Sequence, residues 1–359
     1  MTITNTISTL AAIATLVNAA DVTTPDNELL ALINAMVNAG TNGDFEQILW
    51  DQISTPATPA STKWKQYFKS GGLYSLDSSG GESLITPTHG VCEGRLTLTT
   101  GTPVTTGDVT AATTVYFTPY NGNRIGVYNG TFWILKTFTE LSLSLSGLAA
   151  NTNYDIFVYD SSGTLTLEAL AWTNDTTRAT ALTTQNGVYV KTGATTRRYL
   201  GTIRTTATIG QCEDSATKRY VWNCMNRVLM PLAVTEATDS WTYTGTSWRS
   251  LNNSTSNRVA FVRGLNEDNV ELNFVLHYSI SASIMSAGIG LDSTSSPSGV
   301  YSRGGSSVVA VTTAVYDGRP SEGYHYLQLL EYSSAATTTF YGDNGGTFLQ
   351  SGAQGFTRG

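Results

Sequence analysis

Residues 113–138 read TTVYFTPYNGNRIGVYNGTFWILKTF, and this stretch decides the predicted fold class. Three short runs rich in β-branched and aromatic residues are separated by Asn121-Gly122 and Asn129-Gly130. Asn-Gly is a strong signal for a two-residue hairpin, because both central positions of such a turn need positive φ angles. The stretch therefore predicts three strands joined by two hairpins.

The composition of the whole chain extends this prediction. Charged residues make up 13% of the 359 residues, which is about half of the share in an average soluble domain. Thr, Ser, Gly and Asn take their place. Thr fits a pleated surface, and Gly and Asn favour tight turns, so we expect a mainly β fold.

Strand-like runs recur after residue 90 in two regions, which predicts two antiparallel β domains of sandwich or barrel type, the C-terminal one jelly-roll-like. The segment between them has apolar residues that fit a short helix or an extended arm equally well. The predicted parts are a helical anchor and connector (1–85), a central β domain (86–212), a bridging segment (213–234) and a C-terminal β-sandwich (235–359).

Apolar residues near the N-terminus repeat at heptad-like or helical spacing. They are Ile3, Ile7, Leu10, Val17, Leu29, Leu32, Ile33 and Met36. Short helices with so much apolar surface are not stable alone. These residues are therefore predicted to dock on a partner or to join copies of this chain.

Several function classes are excluded by charge and cysteine content. The net charge is −7, so nucleic acid is not an expected partner. The basic pairs Arg197-Arg198 and Lys218-Arg219 are interpreted as solvated strand or turn positions. Three scattered cysteines predict neither a disulfide framework nor a zinc site. No run of about 18 apolar residues occurs, so no membrane insertion is expected.

Catalytic candidates are few. Three histidines occur, without a nucleophile-elbow, zinc-protease or phosphate-loop motif. Paired carboxylates typical of a glycosidase are Asp155 with Asp160, and Glu267 with Asp268 and Glu271. The first two point to opposite faces of a strand, since an odd number of positions separates them, and the others belong to a polar turn. We predict no catalytic residue, metal or cofactor, and no enzymatic activity.

Clustered aromatic residues are the stronger signal. Trp241, Tyr243 and Trp248 flank Gly245 in a predicted hairpin, and a glycine-rich loop over 295–305 follows later. Stacked aromatic rings beside arginines can hold a sugar ring, and the alternative is that they fill the core or a subunit interface. The predicted glycan contacts are Trp241, Tyr243, Trp248, Arg249, Tyr301 and Arg303.

Several motifs resemble a module of tailed-phage structural proteins, a family of tail fibres, tail proteins and other virion proteins. They are RLTLT (95–99), TVYFTPYNGNRI (114–125), LSLSLSGL (141–148), NYDIFVY (153–159), GATTRRYLG (193–201) and RYVWN (219–223). The resemblance covers residues 89–232. A weaker one covers GYHYLQLLE (323–331) and FYGD (340–343). It implies a virion protein assembled in the host cytoplasm, and no catalytic residues.

The sequence and this resemblance together predict a trimeric tail fibre or short adhesin. Its N-terminus would dock to other virion proteins, and its C-terminal domain would bind a host-surface glycan or protein. A homotrimer is expected because rings of identical chains bury apolar helix faces. The alternatives are a head fibre or capsid decoration protein without a receptor role, and a tailspike that depolymerises polysaccharide.

Overall fold

The computed structural model describes residues 55–59, 65–69, 72–84, 89–343, 345–346 and 348–359. The predicted helical anchor, including the eight apolar residues from Ile3 to Met36, lies outside these ranges. The chain divides into two compact units, Met1–Ile85 and Thr86–Gly359. Within the described ranges both are built from β-strands, which confirms the mainly β class.

The first unit contains a three-stranded antiparallel sheet where the sequence predicted a connector with one short segment. Its strands, in sheet order, are β1 (Lys65–Lys69), β2 (Gly72–Leu76) and β3 (Glu82–Leu84). Asp77 closes the second turn, because its side-chain carboxylate accepts hydrogen bonds from the backbone N–H groups of Ser79 and Gly81. This Asx-type turn lets the polar connector continue as a hairpin.

Among the strands of residues 94–223, β5, β15 and β16 belong to the sheet of the C-terminal strands, and the others form three sheets: β11-β10-β14-β13-β12 with β17 on β14, then β4-β6-β9, and finally β7-β8. Their bounds are β4 (Gly94–Thr97), β5 (Val109–Ala112), β6 (Thr114–Pro119), β7 (Arg124–Tyr128), β8 (Trp133–Thr137), β9 (Leu141–Ser144), β10 (Asn153–Ser161), β11 (Thr164–Ala171), β12 (Leu182–Gln185), β13 (Val188–Lys191), β14 (Ala194–Arg204), β15 (Cys212–Asp214), β16 (Lys218–Arg219) and β17 (Val221–Asn223).

Only one of the two Asn-Gly pairs forms a hairpin. Asn129-Gly130 lies in the hairpin that joins β7 to β8, with Tyr128 opposite Trp133. The loop spans the four residues 129–132, so the predicted two-residue turn is wrong, and of the pair only Gly130 has a positive φ. Asn121-Gly122 does not, because β6 pairs with β4 and β9 and not with β7. The side chain of Glu93 packs against Gly122, which has a φ of +139°. This turn therefore passes the chain from one sheet to another.

The strands after residue 228 belong to one continuous sheet, in the order β18-β28-β22-β25-β24-β23-β26-β21, which β16, β15 and β5 extend. Its two parts on either side of β24, β18-β28-β22-β25 and β23-β26-β21, enclose one core and are called its layers. Their bounds are β18 (Leu229–Thr235), β19 (Ser240–Tyr243), β20 (Arg249–Ser250), β21 (Arg258–Arg263), β22 (Val270–Ile280), β23 (Met285–Leu291), β24 (Ser298–Gly304), β25 (Ser307–Gly318), β26 (Gly323–Ser333), β27 (Thr338–Tyr341) and β28 (Gly352–Arg358). A 3-10 turn covers Leu251–Asn253. Alternate residues of β22, such as Leu272, Phe274 and Leu276, fill the core between the layers.

The bridging segment is extended, so of the two alternatives the arm is correct and the helix is wrong. Its strands connect sheets from both β regions: β15 pairs with β5, β17 pairs with β14, and β16 pairs with β21 in a parallel arrangement. Both β regions consequently lie in the one compact unit Thr86–Gly359.

A buried ionic network joins the middle sheet to the C-terminal strands. Nε of Arg178 lies 2.7 Å from Oδ2 of Asp155 on β10, and the two side chains are 6% and 1% exposed. Arg178 also donates to the Gly264 carbonyl oxygen and to Glu322. Thr202 donates to the same Asp155 carboxylate at 2.7 Å. One guanidinium thus connects three distant parts of the chain.

Asp155→Ala is expected to lower the free energy of unfolding by about 3–5 kcal/mol, because Arg178 then keeps a buried charge without its main partner. Urea unfolding of the purified chain measures this loss. Lys136→Ala is the control, since it removes the more exposed Lys136–Asp160 pair and should change the midpoint much less. Equal losses in both variants would contradict the role given to the buried pair.

Candidate functional site

The register of three strands separates the predicted glycan contacts into two groups. Glu331 on β26 lies opposite Ala287 on β23 and Arg249 on β20. Ala287 belongs to the core between the layers, so Glu331 and Arg249 also point inward. Neighbouring residues of a strand point to opposite faces, so Tyr332 and Trp248 point to the outer face.

The outward group forms a cluster of rings in which Tyr301 is exposed and Trp248 and Tyr332 are half-buried. The Trp248 ring centroid lies 5.5 Å from that of Tyr301, edge to face, and 5.5 Å from that of Tyr332. Tyr301 is 55% exposed. We call Trp248, Tyr301, Tyr332 and Arg303 the aromatic face.

Gly288 provides the floor of the aromatic face. A Cβ atom at this position would lie 3.0 Å from the Trp248 ring and 3.0 Å from Cβ of Pro297. These contacts are tight, so a larger residue would displace the indole from the sheet. The absence of a side chain at Gly288 therefore gives the Trp248 ring room to approach the sheet closely.

Arg303 stands in one row with Ser286 and Tyr332, because Ser286 is opposite both in the register of β23. Residues that lie opposite each other in antiparallel strands share a face. Arg303 is exposed, and a guanidinium offers five N–H donors. The face therefore combines one exposed ring and two half-buried rings with hydrogen-bond donors at its edge. Its residues 298–304 form strand β24, so the predicted loop over 295–305 is wrong there.

The inward group is structural. Glu331 is fully buried, and its carboxylate accepts from Nε1 of Trp241 at 2.7 Å and from Nε of Arg249 at 2.6 Å. The Arg249 guanidinium lies 3.7 Å from the Tyr243 ring centroid. Burial raises the pKa of Glu331, against the opposing effect of Trp241 and Arg249. The structure thus places Trp241, Tyr243 and Arg249 around an internal carboxylate and away from the aromatic face.

The predicted hairpin around Gly245 is wrong, and this explains the separation. β19, which carries Trp241, pairs with β27, whereas β20 pairs with β26. The hydroxyl of Tyr243 donates to the backbone oxygen of Ser247 and closes the turn between them. Trp241 and Trp248 consequently belong to different layers of the fold.

The carboxylates that suggested a glycosidase are already engaged. Asp155 is bonded to Arg178, and its burial raises its pKa, against the opposing charge of Arg178. The other ion pairs are Asp160 with Lys136, Glu267 with Arg227 and Asp268 with Arg227, while Glu271 accepts from Asn273 at 3.3 Å. None of these five contacts leaves a pair of carboxylates arranged around a shared substrate position.

Within residues 89–343 and the other described ranges, no group of three or more His, Cys, Asp and Glu side chains could hold a metal ion. The part of the chain covered by the structure also contains no helix long and apolar enough to cross a bilayer.

Comparison with known proteins leaves the family open. No family model and no curated protein matches the chain. Among solved structures it is similar to an insecticidal delta-endotoxin of Bacillus thuringiensis, with a TM-score of 0.23 and 6% identity over 84% of this chain and 60% of that one. A second insecticidal crystal protein of that organism gives 0.18 and 11%, over 74% and 50%. The chain thus spans less than two thirds of either protein, and likeness this low carries no functional inference.

Glu331→Ala is expected to lower the free energy of unfolding by about 3 kcal/mol, because Arg249 and Trp241 both lose their buried acceptor. Arg303→Ala should change it by less than about 0.5 kcal/mol, since Arg303 is an exposed residue. Thermal and urea unfolding of both variants distinguish the inward group from the outward one. A large loss with Arg303→Ala would show that the face is structural.

Proposed function

We propose that this chain is a structural protein of a tailed-phage virion, a tail fibre or short adhesin that binds a host-surface saccharide. The observation that carries the binding role is the edge-to-face contact of the half-buried Trp248 with the exposed Tyr301 on the outer sheet face. A sugar ring has a face of C–H groups that packs on aromatic rings, and the ring hydroxyls need polar partners. Arg303 and Ser286 offer such partners beside the rings.

The virion role rests on the sequence resemblance over residues 89–232. We propose that the N-terminal residues from Ile3 to Met36 form helices that dock to other virion proteins and help to hold a homotrimer. The C-terminal strands would form a jelly-roll-like receptor-binding head. The high β content of the described residues is compatible with this layout.

A second candidate function is a capsid decoration protein or head fibre without a receptor role. Two exposed valines favour it: Val300 is 72% exposed and Val308 is 86% exposed, both close in sequence to Tyr301. Exposed apolar surface of this kind is typical of protein–protein contacts. A polysaccharide-depolymerising tailspike receives less support, because Asp155 is buried and ion-paired.

The binding role is tested with surface polysaccharide from a host cell and purified chain. Trp248→Ala and Tyr301→Ala should each weaken binding by roughly tenfold or more, as truncation of central aromatic contacts does. Phe356→Ala is the matched control, because Phe356 is an exposed aromatic residue on β28 of the other layer. Fluorescence or biolayer titration measures the dissociation constants.

Equal weakening by all three substitutions, or no effect from any of them, would contradict saccharide binding at the aromatic face. Absence of binding to polysaccharide, together with tight binding to a purified capsid protein, would favour the second candidate function.

A further inference from the structure

A cleft of about 340 Å³ lies in the unit Thr86–Gly359 and shares no residue with the aromatic face. Its volume is within the range of small-molecule sites. The turn between β12 and β13, the end of β17 and residues 89–90 form its walls, and Tyr189, Arg198, Met225, Arg227 and Glu267 are among its lining residues.

Arg198 is the unusual member of this lining. The sequence interpretation of Arg197-Arg198 as solvated positions is wrong for Arg198, which is 2% exposed. Its Nη1 donates to the carbonyl oxygens of His89, Val91 and Gly126 at 2.9, 2.8 and 2.7 Å. Arg197 faces the other way, over the Tyr159 ring. Strand alternation on β14 thus sends one arginine outward and the other inward.

The remaining edge of the Arg198 guanidinium is free. Among the residues that the structure describes, none accepts a hydrogen bond from its Nε or Nη2. No carboxylate pairs with it in the same ranges either, and burial lowers the pKa of Arg198. A buried charge is normally paired with an opposite charge, whereas the partners of Arg198 within the described residues are three carbonyl oxygens and the Trp133 ring, whose centroid lies 5.7 Å from Cζ.

The second arginine of the cleft already has its counter-charges. Nη2 of Arg227 lies 2.7 Å from Glu267 and Nη1 lies 2.5 Å from Asp268. Glu267 also lines the cleft, so an entering ligand meets one unpaired cation and one paired carboxylate. This arrangement suits a singly charged anion better than a dianionic phosphate, which Glu267 would repel.

The free edge also specifies the geometry of the anion. Nε–H and Nη2–H of a guanidinium are parallel and match the two oxygens of a carboxylate. Tyr189 and the 43% exposed Met225 also line the cleft and give it apolar surface. Those two walls and the volume leave room for one ring attached to the carboxylate.

We propose that this cleft is a binding site for a carboxylate carried on a single ring, of the size of a uronic acid. The carboxylate takes the Nε–Nη2 edge of Arg198, and the ring lies against Tyr189 and Met225. This site is separate from saccharide binding at the aromatic face, and either can be present without the other.

In the test, the purified chain is titrated with glucuronate, glucose and inorganic phosphate. Calorimetry and ligand-observed NMR measure the binding of each compound. Glucuronate should bind about tenfold or more tightly than glucose, and more tightly than phosphate. Met225→Glu should weaken glucuronate binding by about tenfold or more, because it adds a like charge to the cleft. Met225→Gln is the matched neutral control and should retain binding.

Arg198→Lys keeps the positive charge but removes the parallel Nε–H and Nη2–H donors. It should therefore also abolish the preference for glucuronate over glucose. If Arg198→Lys unfolds, the two variants at the exposed Met225, Met225→Glu and Met225→Gln, still decide the test. Equal binding of glucuronate and glucose, phosphate binding more tightly than glucuronate, or equal effects of Met225→Glu and Met225→Gln would overturn the proposal. Loss of glucuronate binding in Trp248→Ala, with Met225→Glu unaffected, would place the anion at the aromatic face and also overturn it.

Discussion

The buried Asp155–Arg178 pair is the interaction on which the unit Thr86–Gly359 most depends. Two charges inside a protein are stable only when each has partners. Here the partners come from distant parts of the chain, since Arg178 also bonds Gly264 and Glu322. The chain has few charges, and several of its arginines lie inside and join sheets. The chain therefore has few charged residues, and several of these are buried and depend on partners inside the protein.

The second constraint is the register of β26, which depends on Glu331. With Glu331 inside, bonded to Trp241 and Arg249, Tyr332 must face outward beside Trp248. A slip of one residue would reverse every side chain of the strand. It would bury Tyr332 and leave Glu331 exposed. The buried carboxylate thus fixes the position of the aromatic face, although it lies on the opposite side of the sheet.

Local signals could be predicted from the sequence, and long-range pairings could not. The hairpin at Asn129-Gly130 was predictable because turn residues and β-branched runs act within a few positions. The turn at Asn121-Gly122 depends on Glu93, and the partners of Trp241 and Trp248 are strands about 80 to 100 residues away. Those contacts leave no local pattern.

The candidate site shows the same limit. Trp248, Tyr301 and Arg303 were predicted from residue type, but Tyr332 was missed. Alternation along β26 was visible in the sequence, yet nothing in it says which face of that strand is outside. The inward turn of Arg198 could not be predicted for the same reason, since a charged residue on a strand is usually solvated.

The most direct test of the central proposal is electron cryotomography of particles adsorbed to host cells, with this chain located by a bound antibody fragment. The proposal predicts that the chain lies where the particle meets the cell, with the aromatic face turned toward the envelope. A chain located on the capsid, away from the cell and with that face against another virion protein, would contradict it.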